Sequence, residues 1–151
     1  MPSIELACPR TETPFGEMFF PGIMVDVRLA SGKYQAFEFI LDSGADCTIL
    51  PHFMANLSGN RLPRKADAHM VGVAGVSQAC YKGKISLRIG KEEFEVRCLF
   101  TGSDRTPFLI GRIDFFSIFR TCFDGNDCNI TLTRLKQKRL APTRQRRALL
   151  K

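Results

Sequence analysis

The sequence has no C-x-x-C pair among its six cysteines, only two histidines and no tryptophan. Zinc sites and dithiol redox motifs need closely spaced cysteine or histidine side chains, so this spread argues against both. The longest apolar runs have the length of a strand rather than of a membrane helix, and no secretory leader pattern is visible. We therefore expect a cytoplasmic protein with reduced core cysteines, no metal or cofactor, and no membrane partner.

Acidic residues are missing from one part of the chain, residues 134–151, which holds eight of the twenty-two basic residues. Without these eight, the chain has fourteen basic and fifteen acidic residues, so the net charge of +7 comes from the tail. The composition predicts a disordered extension over residues 134–151. Nucleic-acid binding, membrane-surface binding, processing and nuclear localisation all remain open for this segment, and nothing in the sequence favours one of them.

The length of 151 residues and the hydrophobic content of 44% are those of a single compact domain. Residues 1–20 hold three prolines and show little periodicity, which predicts an irregular N-terminal arm. The patterned region that follows predicts a domain over residues 21–133.

Alternation of apolar and polar residues in this region predicts a mostly β fold without repeats. A two-residue period covers 23–29 and 34–41, and the strongest hairpin signal joins 85–89 to 94–100 through Gly90-Lys91. The pattern also predicts a glycine-containing hairpin at 70–76, strands at 121–123 and 129–132, and short helices around 52–57 and over 112–119.

One acidic tripeptide, Asp42-Ser43-Gly44, lies in a bend between the apolar runs 39–41 and 48–50. Peptide hydrolysis without a metal or a covalent nucleophile needs a water to be deprotonated while the carbonyl oxygen is protonated. Two carboxyl groups that share one proton do both. The tripeptide alone is also an ordinary turn sequence, so its setting has to carry the interpretation.

That setting resembles the retropepsins, the retroviral type of aspartic protease. The resemblance rests on Phe39-Ile40-Leu41-Asp42-Ser43-Gly44-Ala45-Asp46-Cys47-Thr48-Ile49-Leu50, then a glycine-containing hairpin, then Phe108-Leu109-Ile110-Gly111-Arg112 before a helix. It implies an all-β, mostly antiparallel, closed barrel-like acid-protease fold with one short C-terminal helix. It also implies a single lobe that acts as a homodimer on peptide or protein substrates.

The resemblance implies a role for each matching residue. Asp42 is the catalytic carboxylate, Ser43 bonds to the partner loop and Gly44 offers its backbone to the substrate. Ala45 and Asp46 complete the active-site loop, and Asp46 pairs with Arg112, which supports the loop together with Gly111. The flap that closes over the substrate consists of Val71, Gly72, Val73, Ala74 and Gly75, and its two glycines give it mobility.

Three departures from the family pattern concern substrate preference and flap detail rather than the catalytic loop. The flap tip has fewer glycines than is usual in the family, Cys47 stands where a second acid often follows Asp46, and Ile113-Asp114 follows Gly111-Arg112.

A second catalytic loop is absent, since Asp124-Gly125 lacks the intervening hydroxyl residue and a preceding apolar run. The second carboxylate must therefore come from another copy of the chain, which predicts a twofold dimer with Asp42 facing its symmetry mate. Both the arm before residue 21 and the strand at 129–132 are candidates for the interface. The competing hypothesis is a noncatalytic dimerising or peptide-binding module, brought to RNA by its tail.

Overall fold

The computed structural model describes residues 2–136, and within that range the fold is almost entirely β. Its elements follow in chain order: β1 Ser3–Ala7, β2 Arg10–Thr13, β3 Gly16–Phe19, β4 Gly22–Arg28, β5 Tyr34–Leu41, β6 Thr48–Leu50, α1 Phe53–Leu57, β7 Ala68–Val71, β8 Ser77–Ile89, β9 Glu92–Thr101, β10 Leu109–Ile110, α2 Phe115–Ile118, β11 Phe119–Asp124 and β12 Asn129–Arg134.

Six strands form a closed barrel. They pair in the order β4, β5, β10, β6, β9 and β8, and a further pairing of β4 with β8 closes the ring. β7 pairs with β8 beyond the ring and extends it as a hairpin. Most pairs are antiparallel, whereas β10 lies parallel to β5, and β6 lies parallel to β9. This architecture confirms the predicted all-β, closed barrel-like fold.

The barrel core follows from the two-residue period of its strands, because alternate side chains of a strand point to opposite faces. In β4 the side chains of Val25 and Val27 are fully buried, while that of Met24, on the opposite face of the strand, is exposed. In β5 the inward positions are Phe39 and Leu41, which leads the chain directly from the core into the loop that begins at Asp42.

The prediction of an irregular arm over residues 1–20 is wrong, because this segment contains β1, β2 and β3. β1 pairs with β12, and β12 pairs with β11, to form a separate three-stranded sheet. The prolines that suggested irregular structure lie outside these strands, at Pro2, Pro9 and Pro14. A proline between short strands is compatible with their ladders, whereas a proline inside a central strand is not.

Among residues 2–136 there are two short helices, whereas the family resemblance implied only the C-terminal one. The helix that the sequence pattern predicted around residues 52–57 is observed as α1. The C-terminal helix is shorter than the predicted 112–119 and covers only Phe115–Ile118. Asp114 has a φ of 69°, which is incompatible with a right-handed helix and delays the helix start. Neither of these two described helices is long and apolar enough to cross a membrane.

Residues 137–151 of the predicted tail lie outside the described residues. Arg134, the first residue assigned to that tail, instead ends β12. Its Nη1 atom lies 2.6 Å from Oε2 of Glu92, so this cation belongs to the ordered body of the chain.

Candidate active site

The loop that begins at Asp42 connects β5 to β6 and is held by the strand that lies between them. The Asp42 amide donates a hydrogen bond of 2.9 Å to the carbonyl of Ile110 at the end of β10. β10 is parallel to β5 and antiparallel to β6, so it fixes both ends of the loop. The apolar runs on each side of the acidic tripeptide are thus neighbouring barrel strands, and the loop emerges where they end.

The carboxylate of Asp42 is half-buried and accepts a hydrogen bond from its own loop. The Gly44 amide donates to Oδ1 of Asp42 at 2.8 Å, and the Ala45 amide donates to the Asp42 carbonyl at 3.2 Å. A Cβ atom on Gly44 would lie 3.1 Å from the same Oδ1 atom, so a side chain there would crowd the carboxylate. Gly44 therefore lets a backbone donor approach the acid closely.

A second segment, residues 111–113, lies against the far side of this loop. The Arg112 amide donates to the carbonyl of Ala45 at 2.9 Å, and the Ile113 amide donates to the carbonyl of Asp46 at 2.8 Å. Gly111 packs directly on the backbone of Cys47, where an added Cβ would lie 2.3 Å from the carbonyl oxygen. The glycine directly after β10 is thus required by close packing, and the backbone of the next two residues holds the loop by hydrogen bonds.

The side chains of Asp46 and Arg112 form an ion pair, the contact that the family resemblance implied. Both are well exposed, at 81% and 57% of their side-chain surface, so the pair is strongly screened by water. Its contribution to stability is therefore small. Together with the backbone bonds above, it fixes the orientation of the outer part of the loop.

The predicted flap is a hairpin between β7 and β8. The Gly75 amide donates to the Gly72 carbonyl at 2.9 Å, and Gly75 has a φ of 74°, a conformation that favours glycine. Gly72 has no such requirement, and a Cβ there would meet no atom within 4 Å. Val71, Val73 and Val76 expose most of their side chains at this tip.

Asp114 lies next to the predicted site residues, and its contact with Arg97 was not predicted from the sequence. Its carboxylate accepts hydrogen bonds from the backbone amide of Arg97 at 2.8 Å, and from Nε and Nη2 of the same residue at 2.9 and 2.8 Å. Hydrogen bonding by the Arg97 side chain lowers the pKa of Asp114 below the usual carboxyl value, although burial opposes the shift. The pair anchors the segment 111–113 to β9.

A cavity of about 500 Å³ opens beside the outer end of the loop rather than at Asp42 itself. Apolar walls come from Cys98, Leu99 and Ile113, with Cys47 at the loop side. Burial raises the pKa of the Cys47 thiol, and Asp46 adds to this effect. Among residues 2–136, no group of three or more His, Cys, Asp or Glu side chains is placed to hold a metal ion.

Comparison with known proteins gives one family. The retroviral aspartyl protease family matches residues 21–118, which is more than half of the chain. A comparison with curated proteins finds no match.

Solved structures with a similar fold are also found. A retropepsin-like aspartic protease from Rickettsia conorii is 20% identical with a TM-score of 0.59, and the match covers 87% of this chain and 89% of that one. EIAV protease, solved with the inhibitor HBY-793, is 19% identical with a TM-score of 0.48, covering 62% of this chain and 82% of that one. The Rickettsia match agrees with the closed barrel described above. From the family match over residues 21–118, the chain belongs to the retroviral aspartyl protease family.

Proposed function

We propose that the protein is an aspartic endopeptidase whose active unit is a homodimer, with Asp42 of each chain as the catalytic carboxylate. The observation that carries the proposal is the position of Asp42 at the end of a core strand of this family's fold. Its loop is held by β10 on one side and by residues 111–113 on the other. A carboxylate held in this way keeps a defined position for chemistry, which is the condition for efficient general acid and base catalysis.

A single chain offers one such carboxylate. Asp124, which is followed directly by Gly125, ends β11 at the turn to β12, where its Oδ1 accepts hydrogen bonds from the amides of Asn126 and Asp127 at 2.9 and 3.0 Å. That carboxylate caps its own turn and belongs to no loop like that of Asp42. A second copy of Asp42 is the source of the second acid in our proposal.

The chemistry follows from placing the two carboxyl groups close together. At about 3 Å, with an effective dielectric constant of about 20, two negative charges repel by roughly 5 kcal/mol. One group therefore keeps a proton at mildly acidic pH while the other is ionised. The ionised group removes a proton from the attacking water, and the protonated group donates to the carbonyl oxygen of the peptide bond.

The neighbouring residues have supporting roles in this proposal. Ser43, which is exposed beside Asp42, bonds to the partner loop, and the backbone at Gly44 binds the substrate. The ion pair of Asp46 with Arg112 holds the outer loop. The exposed valines of the flap close over an extended peptide and exclude water from the reacting bond.

The three-stranded sheet of β1, β12 and β11, called the terminal sheet below, favours one of the two candidate segments for the dimer interface. β12 is the central strand of this sheet, with β1 on one side and β11 on the other, so both of its ladder edges are already paired. Among the described residues, β1 and β11 are the edges. The N-terminal arm is thus better placed than the strand at 129–132 to pair with a second chain. A cytoplasmic location remains a prediction.

Cleavage of a peptide library between pH 4 and 7 tests the proposal. The wild-type chain is expected to cleave, and Asp42→Asn is expected to lose at least about 1000-fold in kcat/KM, because an amide can neither ionise nor share the proton. Asp127→Asn, in an exposed turn, is the matched control and should retain full activity. Equal cleavage by wild type and Asp42→Asn would rule out the assignment, and folded but inactive wild-type dimers would favour a noncatalytic peptide-binding module.

A further inference from the structure

Cys8 and Cys128 lie directly opposite each other at one end of the terminal sheet. The register of β1 and β12 pairs Ala7 with Asn129, so the next pair in this antiparallel ladder is Cys8 with Cys128. The Cys8 amide donates a hydrogen bond of 2.9 Å to the carbonyl of Cys128, which confirms that the pairing continues. Opposite residues in such a ladder have Cα atoms about 4.5 to 5.5 Å apart, within the range that a disulfide spans.

Both side chains are buried and belong to the same hydrophobic core cluster. Inward positions alternate along β1, with Ile4 and Leu6 packed against the core and Cys8 next in the series. Along β12 the inward positions are Ile130 and Leu132, and Cys128 precedes them by the same two-residue step. Cys8 is 7% exposed and Cys128 is 8% exposed, so the two thiols share one apolar site.

The backbone around Cys128 is also unusual. Its φ of 50° is one of two positive values found at non-glycine residues in the described chain. A β-carbon makes this conformation costly, so the surrounding structure must hold it in place. The turn from Asp124 does so through the two amide bonds described above, and the Cys8 amide adds a third contact. The backbone of Cys128, opposite Cys8, is therefore held in place before any reaction.

We propose that Cys8 and Cys128 form a reversible intrachain disulfide that joins the N-terminal strand to the C-terminal hairpin. In the reaction with glutathione disulfide, one cysteine thiolate attacks the oxidant, forms a mixed disulfide and releases one glutathione thiolate. The second cysteine thiolate attacks the protein sulfur of that mixed disulfide and releases the second glutathione. Two protein thiols are oxidised by two electrons, one glutathione disulfide is reduced, and the two thiol protons end on the two glutathione molecules.

The surroundings of the pair predict slow formation and a large effect on stability. Burial raises the pKa of the Cys8 thiol, and the neighbouring Cys128 thiol raises it further. Little thiolate is then present at neutral pH, so attack on the oxidant is slow. The bond closes a loop of roughly 120 residues, and long closed loops restrict the unfolded chain most strongly in the chain-entropy account.

Peptide mapping of the full chain after incubation with glutathione disulfide tests this inference. We expect a product without interchain disulfides and with one Cys8–Cys128 link, a mass per chain lower by about 2 Da, and full reversal by a dithiol reductant. The thermal unfolding midpoint of the oxidised chain should exceed that of the reduced chain by about 10 °C. Cys8→Ala should abolish both changes, whereas Cys122→Ala, which removes the exposed thiol of β11, should retain them.

The map of the wild-type chain decides the question even if Cys8→Ala fails to fold. A link from Cys8 to any other cysteine, a covalent dimer joined through Cys8, or six free thiols after prolonged oxidation would each overturn the inference. None of these outcomes depends on proteolytic activity, so the inference stands or fails independently of the proposed function.

Discussion

Two threonines, Thr48 and Thr101, are fully buried, and their hydroxyl groups have opposite surroundings. The Thr101 hydroxyl donates to the Ser103 carbonyl at 3.0 Å and lies 2.7 Å from Oγ1 of Thr106. The Thr48 hydroxyl has no hydrogen-bond partner within residues 2–136. Burying a hydroxyl without a partner costs free energy, whereas a paired one stabilises the fold.

Replacement of each threonine by valine, which keeps the shape, should therefore have opposite signs. Thr48→Val is expected to raise the free energy of unfolding by about 1 kcal/mol, and Thr101→Val to lower it by about 2 kcal/mol. Urea unfolding monitored by far-UV circular dichroism measures both. Equal losses in the two variants would mean that the Thr48 hydroxyl is satisfied, for example by a bound water.

Gly111 shows how a single missing side chain supports the loop that begins at Asp42. A Cβ at this position would lie 2.3 Å from the Cys47 carbonyl oxygen and 2.4 Å from its carbon, so the loop would have to move. We expect Gly111→Ala to lower the free energy of unfolding by about 2 kcal/mol and kcat/KM by at least about tenfold. Gly102→Ala, where no atom lies within 4 Å, is the control and should change neither quantity appreciably. Normal activity in Gly111→Ala would show that the loop tolerates displacement.

At the scale of elements, the ion pair of Asp114 with Arg97 joins the start of α2 to β9 and should make stability depend on pH. The pKa of Asp114 is lowered in the folded chain, chiefly by hydrogen bonding from Arg97. A lowered carboxyl pKa gives stability that is fully present above the usual value of about 4 and is lost as pH falls through the folded-state value. The pair therefore persists over the mildly acidic range in which a shared-proton carboxyl pair operates.

Asp114→Asn should lower the free energy of unfolding by about 1 kcal/mol at pH 7, and by less as the pH approaches 3. Urea unfolding at pH 3, 5 and 7 measures the difference from wild type. Asp127→Asn should show no comparable pH-dependent difference. If the loss in Asp114→Asn were the same at all three pH values, the charge of Asp114 would not be its cause.

The barrel strands could be predicted because each buries one face, which imposes a two-residue period on the sequence. Residues 34–41 illustrate this, since the predicted and observed strands coincide. β1 has the same period, with Ile4 and Leu6 as its apolar contacts, but over only five residues, which is too short for a firm prediction. Its pairing with β12 joins residues about 130 apart in sequence, and no local pattern encodes such a contact.

The features of the candidate site also fall into those that the sequence predicts and those that it does not. The proposed active-site loop, the proposed flap and the Gly111-Arg112 segment each have a local sequence signature, so they could be predicted without coordinates. The contact between Asp114 and Arg97 had none, because it depends on the φ of 69° at Asp114 and on the register that places β9 nearby. Arg97 is one of several cations on β8 and β9, and the sequence alone does not distinguish it from Lys84 or Arg88 as the partner of Asp114.

At the scale of the whole molecule, the proposed mechanism has one catalytic carboxylate per chain, so it predicts that activity is a property of pairs of chains. Specific activity should rise with protein concentration and level off once the chain is dimeric, as sedimentation can establish in parallel. A sharper test mixes wild type with Asp42→Asn, because a mixed dimer contains one carboxylate and one amide and should be inactive. With random pairing, a tenfold excess of the variant over a fixed amount of wild type should lower activity to about one tenth.

Asp127→Asn chains provide the matched control for this mixing experiment. They carry an intact Asp42, so the same tenfold excess should increase the total activity instead of suppressing it. If the Asp42→Asn chain left wild-type activity unchanged after exchange of subunits had been verified by mass spectrometry, each wild-type chain would be acting alone. The two-carboxylate mechanism would then be wrong for this protein, whereas suppression by one variant and not by the other would place the two Asp42 side chains in a single shared site.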